Sequence, residues 1–77
     1  MENRANFRRN LIVRRTNLGW SQEELGERAN LHRTAVSNLE TGISQPRLYT
    51  IYDIAEALGV TAIDLLSDPP PLAKDRR

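Results

Sequence analysis

Four polar side chains, Arg33, Thr34, Ser37 and Asn38, recur at spacings that bring them onto one face of an α-helix. Their chemistry is recognition. An arginine guanidinium can donate two hydrogen bonds to guanine O6 and N7, and an asparagine carboxamide can pair with adenine N6 and N7. Thr34 offers a methyl group to thymine, or a hydroxyl to a base edge or phosphate, and Ser37 offers a second hydroxyl. Each good bidentate contact discriminates between bases by about 1–3 kcal/mol. The plainer alternative is a polar helix face turned to solvent. Catalysis finds little support. The chain has no cysteine, and His32 is its only histidine. No nucleophile–base pair or phosphate-binding loop is present, so neither an enzyme nor a metal or cofactor is expected.

A rigid rod must present those four residues. The pattern predicts a helix from about Arg33 to Thr41, stopped by Gly42 and opened by His32 at the N-cap, where serine or threonine would serve better. His32 therefore either caps this helix or touches a phosphate. The preceding helix starts at Ser21. Glu24 stands at the capping-box position, Trp20 and Leu25 form a hydrophobic staple, and the helix runs to about Ala29. Asn30 tolerates the left-handed backbone of a tight turn. Gly26 lets the two helices approach, and Leu25, Ala29, Leu31, Val36 and Leu39 lock their crossing.

Three further helices complete the scaffold. The first covers 4–17, with Phe7, Leu11 and Leu18 on its apolar side, Ile12 and Val13 widening it, and Gly19 just past its end. The fourth covers 48–58, with Leu48, Ile51, Ile54, Ala55 and Leu58 facing inward and Gly59 closing it. The fifth is short, 62–67, capped by Thr61 with Asp64 at the box position and a Val60–Leu65 staple. Tyr49 and Tyr52 flank the inward stripe and are free to stay exposed or to meet a partner. The expected fold is all-α: one five-helix domain over 1–67, then a mobile Pro-rich and charged tail over 68–77.

The formal charge is only +1, but it is unevenly spread. Arg4, Arg8, Arg9, Arg14 and Arg15 crowd the first helix, whereas Asp53, Glu56, Asp64 and Asp68 stand without a base over 48–68. Such polarity could lay one face on phosphates, or be plain solvated surface. At 77 residues without disulfides, stability must come from helix packing, with dimerisation as a possible aid. No run suits a signal peptide or a membrane span, which makes a cytoplasmic protein the expectation.

The stretch Ser21–Glu40, followed by SQPRLYTIYDIAEALGV, resembles the helix-turn-helix domain of phage repressors, Cro proteins and Xre-type regulators. The resemblance spans about residues 6–67. It implies a compact lambda-repressor-like fold that binds double-stranded DNA through Arg33, Thr34, Ser37 and Asn38. It also implies that Gln22, at a helix N-terminus favourable to anions, meets a phosphate. Arg47 matches the basic loop residue that touches phosphate or reaches toward the minor groove. Ile43, Ser44 and Gln45 replace residues that are often basic, which shifts the phosphate load toward Arg8, Arg9, Arg14 and Arg47. Arg15 and Glu40 match a structural salt bridge. Helix 5 matches a two-fold interface, with Ile63 and Leu66 as its apolar candidates in a homodimer reading a palindromic operator. The LHRTAVS segment is similar to small controller proteins of restriction–modification systems, and phage-type repressors and antitoxins share this size. The rival expectation is a protein-interaction module, such as an antitoxin bound to a partner protein.

Overall fold

Capping residues divide the chain into five helices. The computed structural model describes residues 3–73, and places α1 at Asn3–Asn17, α2 at Gln22–Ala29, α3 at Arg33–Thr41, α4 at Leu48–Leu58 and α5 at Ala62–Leu66. Each boundary has a local cause. Gly19, at φ +76°, ends α1 as the N–H of Trp20 turns back to the Arg15 carbonyl at 3.1 Å. Asn30 adopts φ 61° and ends α2. Thr61 and Asp64 form a complete capping box on α5, the Thr61 hydroxyl taking the Asp64 N–H and the Asp64 carboxylate taking the Thr61 N–H. The box expected on α2 closes on one side only. Ser21 Oγ accepts from the Glu24 N–H at 3.0 Å, but the Glu24 carboxylate accepts from Arg28 Nε at 2.6 Å. Arg28 in turn lies over the Trp20 ring, 4.4 Å from its centroid.

Phe7 and Leu11 of α1, Leu25 and Ala29 of α2, Val36 and Leu39 of α3, Ile54 and Ala55 of α4, and Leu65 of α5 form one core. Burying a side chain of this kind contributes about 1.5–3 kcal/mol. Two expected core positions lie outside it. Leu18 lies past the end of α1 at Asn17, in the turn that leads into Gly19, and is 48% exposed. Leu48, first residue of α4, is 61% exposed because α4 meets its neighbours through Ile51, Ile54, Ala55 and Leu58. No helix among the described residues is long and apolar enough to cross a membrane.

Polar residues join α1 to α5. The Asn10 side chain is fully buried, and its amide nitrogen donates to the carbonyls of Asn6, Leu65 and Ser67 at 2.8–3.0 Å. Its oxygen accepts from Arg14 Nε at 2.7 Å. Asn6 Nδ2 donates to the Leu66 carbonyl at 3.4 Å. The carbonyls left open at the end of α5 are thus met by side chains of α1. Within the stretch expected as a free tail, Asn17 binds both the Pro71 carbonyl and the Ala73 N–H. The rest of that stretch, 74–77, lies outside the described residues.

Candidate nucleic-acid interface

The candidate surface begins with how closely α2 and α3 meet. Gly26 faces the turn, and a Cβ built there would stand 2.5 Å from the Leu31 carbonyl oxygen. The Leu31 N–H itself bonds the Gly26 carbonyl at 2.7 Å. No larger residue fits without moving backbone. Val36, Leu39 and Glu40 are the buried residues of α3. The opposite face carries Arg33 and Thr34, both exposed, with Ser37 and Asn38 half-buried one turn on. Among the described residues, none of these four side chains donates to a protein acceptor, so their donors are free for a ligand.

His32 occupies the N-cap of α3. Its Nδ1 accepts the Thr34 N–H at 3.1 Å, which satisfies one of the open donors of the first turn and leaves Nε2 unused. The imidazole therefore does the work of the expected serine or threonine, by the ring nitrogen nearer the backbone.

A buried polar network braces the other end. Glu40, with a side chain only 4% exposed, accepts from Arg15 Nε at 2.7 Å and Nη2 at 3.1 Å. Arg15 Nη1 also donates to the Trp20 carbonyl at 2.8 Å. Gln22 Nε2 donates to the same Glu40 carboxylate at 3.0 Å. The network ties α1, the α1–α2 turn, the start of α2 and the end of α3 into one unit. Gln22 is thereby held as the first residue of α2, with its amide pulled toward α3.

Arg47 is the exposed N-cap residue of α4, and no side-chain cap bond holds it. It lines a crevice shared with Leu31, Ala35, Asn38 and the 44–46 loop, so the fold brings it beside α3. Arg8 also leans this way. Its Nη1 lies 2.8 Å from where a Cβ on Gly42 would be, against the end of α3. Arg14 is not brought to this surface. Its Nε is held by Asn10 on the α5 side of α1, and its charge acts on Asp64. One residue of helix geometry separates it from Arg15 and swings it about 100° away. Of the two apolar α5 candidates, Ile63 is 74% exposed, whereas Leu66 packs against the core.

No motif in the sequence marks Asn6 and Asn10 as residues that build the scaffold. A signal was available: both share the α1 stripe of Phe7 and Leu11, where an asparagine must find partners for its amide.

The helix-turn-helix family model HTH_3 matches residues 12–65. The chain belongs to this helix-turn-helix family. It is 44% identical over 66 residues to a hypothetical transcription factor of Neisseria meningitidis serogroup B, covering 86% of this chain and 62% of that protein. It is 41% identical over 54 residues to Control protein C.BamHI of Bacillus amyloliquefaciens, covering 70% of this chain and 67% of that one. The crystal structure of the hypothetical transcription factor NHTF from Neisseria is similar in fold, with a TM-score of 0.82, 43% identity, and 87% and 77% of the two chains covered. The chain thus spans a little under two thirds of its Neisseria relative's length. The five-helix fold and the Xre/Cro-type resemblance agree with these matches.

Proposed function

We propose that this helix-turn-helix protein is a sequence-specific, DNA-binding transcription regulator that reads a palindromic operator as a homodimer. The observation that carries the reading is the free face of α3. Arg33, Thr34, Ser37 and Asn38 stand together on a helix whose other face is buried and braced by Arg15, Gln22 and Glu40. Set into the major groove by its N-terminal end, this face puts Arg33 and Thr34 nearest the bases. Arg47 and the free Nε2 of His32 supply flanking phosphate contacts, joined by the N-terminal end of α2 at Gln22, whose side-chain amide is already given to Glu40, and Arg14 is left out because it serves the α5 side. One recognition helix reads only a few base pairs, so specificity calls for two half-sites roughly 34 Å apart. Ile63, apolar and outward on α5, is the residue assigned to the contact between copies. Action is by occupancy of DNA, not by chemistry on a substrate. The likeness to Control protein C.BamHI supports a controller-type regulator among the small-regulator classes.

Arg33→Ala tests the base-reading role. Binding measured across operator variants should lose preference at one base position per half-site, by about 1–3 kcal/mol. Uniform weakening on every sequence would make Arg33 a phosphate contact instead. A protein partner is the second reading, favoured by Leu48, Tyr49 and Tyr52, which are large, apolar and exposed on α4. A complex that forms through this face and survives without DNA would favour it.

A further inference from the structure

We propose that one face of α1 is a docking groove for an extended, proline-rich strand, that residues 69–73 fill it in the same chain, and that the docked strand clasps α5. The groove is a line of asparagines. Asn6, Asn10 and Asn17 are spaced by four and seven residues, which at 3.6 residues per turn puts them almost in register along one side of α1. Their amides meet the chain at two levels, Asn6 and Asn10 at residues 65–67 and Asn17, further along the helix, at Pro71. Asn6 takes the Leu66 carbonyl, Asn10 takes those of Leu65 and Ser67, and Asn17 takes that of Pro71. The strand therefore runs along α1 in the direction of α1.

The lengths agree. From Asn10 to Asn17 the helix rises about 10 Å at 1.5 Å per residue. From Ser67 to Pro71 a polyproline-type strand advances about 12 Å at 3.1 Å per residue.

The chemistry also fits. Pro69, Pro70 and Pro71 lack N–H groups, so this stretch cannot pair as a helix or a sheet strand, and its carbonyls need outside donors. The Asn17 amide supplies one, to the Pro71 carbonyl. Asn17 grips the strand at two points, giving Nδ2–H to the Pro71 carbonyl at 3.1 Å and taking the Ala73 N–H on Oδ1 at 2.7 Å. That is the donor–acceptor pair a neighbouring β-strand would offer. Ala73 is the second residue past the prolines, and Pro69 and Pro70 are half-buried. Fixed proline torsions mean the strand gives up little conformational freedom on docking. The clasp closes over the end of α5, a five-residue helix that has little hold of its own.

Native-state amide hydrogen exchange on the full chain tests this. The Ala73 amide should be protected in the unaltered protein, and Asn17→Ala should lower that protection about fivefold or more, the size of one ordinary hydrogen bond. Ala73→Pro removes the N–H donor that Asn17 accepts. The Leu65 and Ser67 amides at the end of α5 should exchange faster in both variants, and the double variant should loosen them no further than either single. An Ala73 amide that exchanges freely in the unaltered protein would overturn the docking, as would protection indifferent to Asn17→Ala. Protection that falls on dilution would put the strand on a second copy and overturn its assignment to the same chain. Unchanged α5 exchange in both variants would overturn the clasp.

Discussion

Replacing Glu40 with alanine should unsettle the domain more than any change on the exposed face of α3. The carboxylate is nearly inaccessible and receives three donors, two from Arg15 and one from Gln22. Truncation leaves the guanidinium, 16% exposed, without its counter-charge, though Nη1 keeps the Trp20 carbonyl. Breaking a buried pair from one side costs about 3–5 kcal/mol, and the surviving Trp20 contact sets the expectation at the lower end, about 3 kcal/mol. A domain of this size holds about 0.05–0.15 kcal/mol per residue in total, so the loss is a large fraction of its stability. At about 4–8 °C per kcal/mol, the melting temperature followed by circular dichroism should fall by roughly 12–24 °C. Glu40→Gln keeps the shape but removes the counter-charge and turns one accepting oxygen into an N–H donor that faces the donors of Arg15 or Gln22, and should cost about 1–3 kcal/mol. The double variant Arg15→Met with Glu40→Leu replaces the pair by apolar groups and should recover most of the loss. A Glu40→Ala protein that melts within about 4 °C of the unaltered one would refute the reasoning. So would a double variant no more stable than the single.

Gly26→Ala gains about 1 kcal/mol of helix propensity but drives a Cβ to 2.5 Å from the Leu31 carbonyl oxygen, an overpacking that costs about 1–3 kcal/mol. Urea unfolding should show net destabilisation, and a more stable variant would mean that the turn yields freely. The Thr61 backbone N–H, and then its hydroxyl, hold the Asp64 carboxyl below its ordinary pKa of 3.8, with Arg14 adding a smaller pull. Because the folded value is the lower one, this stabilisation is complete above pH 3.8 and fades as the pH falls through the depressed value. Asp64→Asn should remove that part of the acid sensitivity of α5, and NMR acid titrations that coincide for the two proteins would count against the box. Ile63→Glu should leave the monomer fold intact, since Ile63 is 74% exposed, while raising the dimer dissociation constant at least about tenfold by sedimentation equilibrium. An unchanged self-association would move the interface away from Ile63.

Much of this protein was legible in the amino-acid sequence because its signals are local. Ser21, Asn30, Gly42, Gly59 and the Thr61–Asp64 box each act within one helical turn, and the structure has the predicted α2, α3 and α4 between them. The 3.6-residue period chose Leu11, Leu25, Val36, Leu39 and Ile54 for the core and left Arg33, Thr34, Ser37 and Asn38 together on the outside. The resemblance, not the spacing, pointed to Arg15 and Glu40 as a pair, because nothing local joins residues twenty-five apart. Only the tertiary structure decided which side chains share a charged group. It drew Gln22 onto Glu40, and turned Arg14 toward Asn10 although its neighbour Arg15 faces α3. It also decided what ends against α1, where the buried Asn6 and Asn10 meet carbonyls more than fifty residues away. Helix period and caps are properties of neighbours in the chain. The partner of a buried polar group is set by which backbone arrives beside it, and that is known only once the helices have packed.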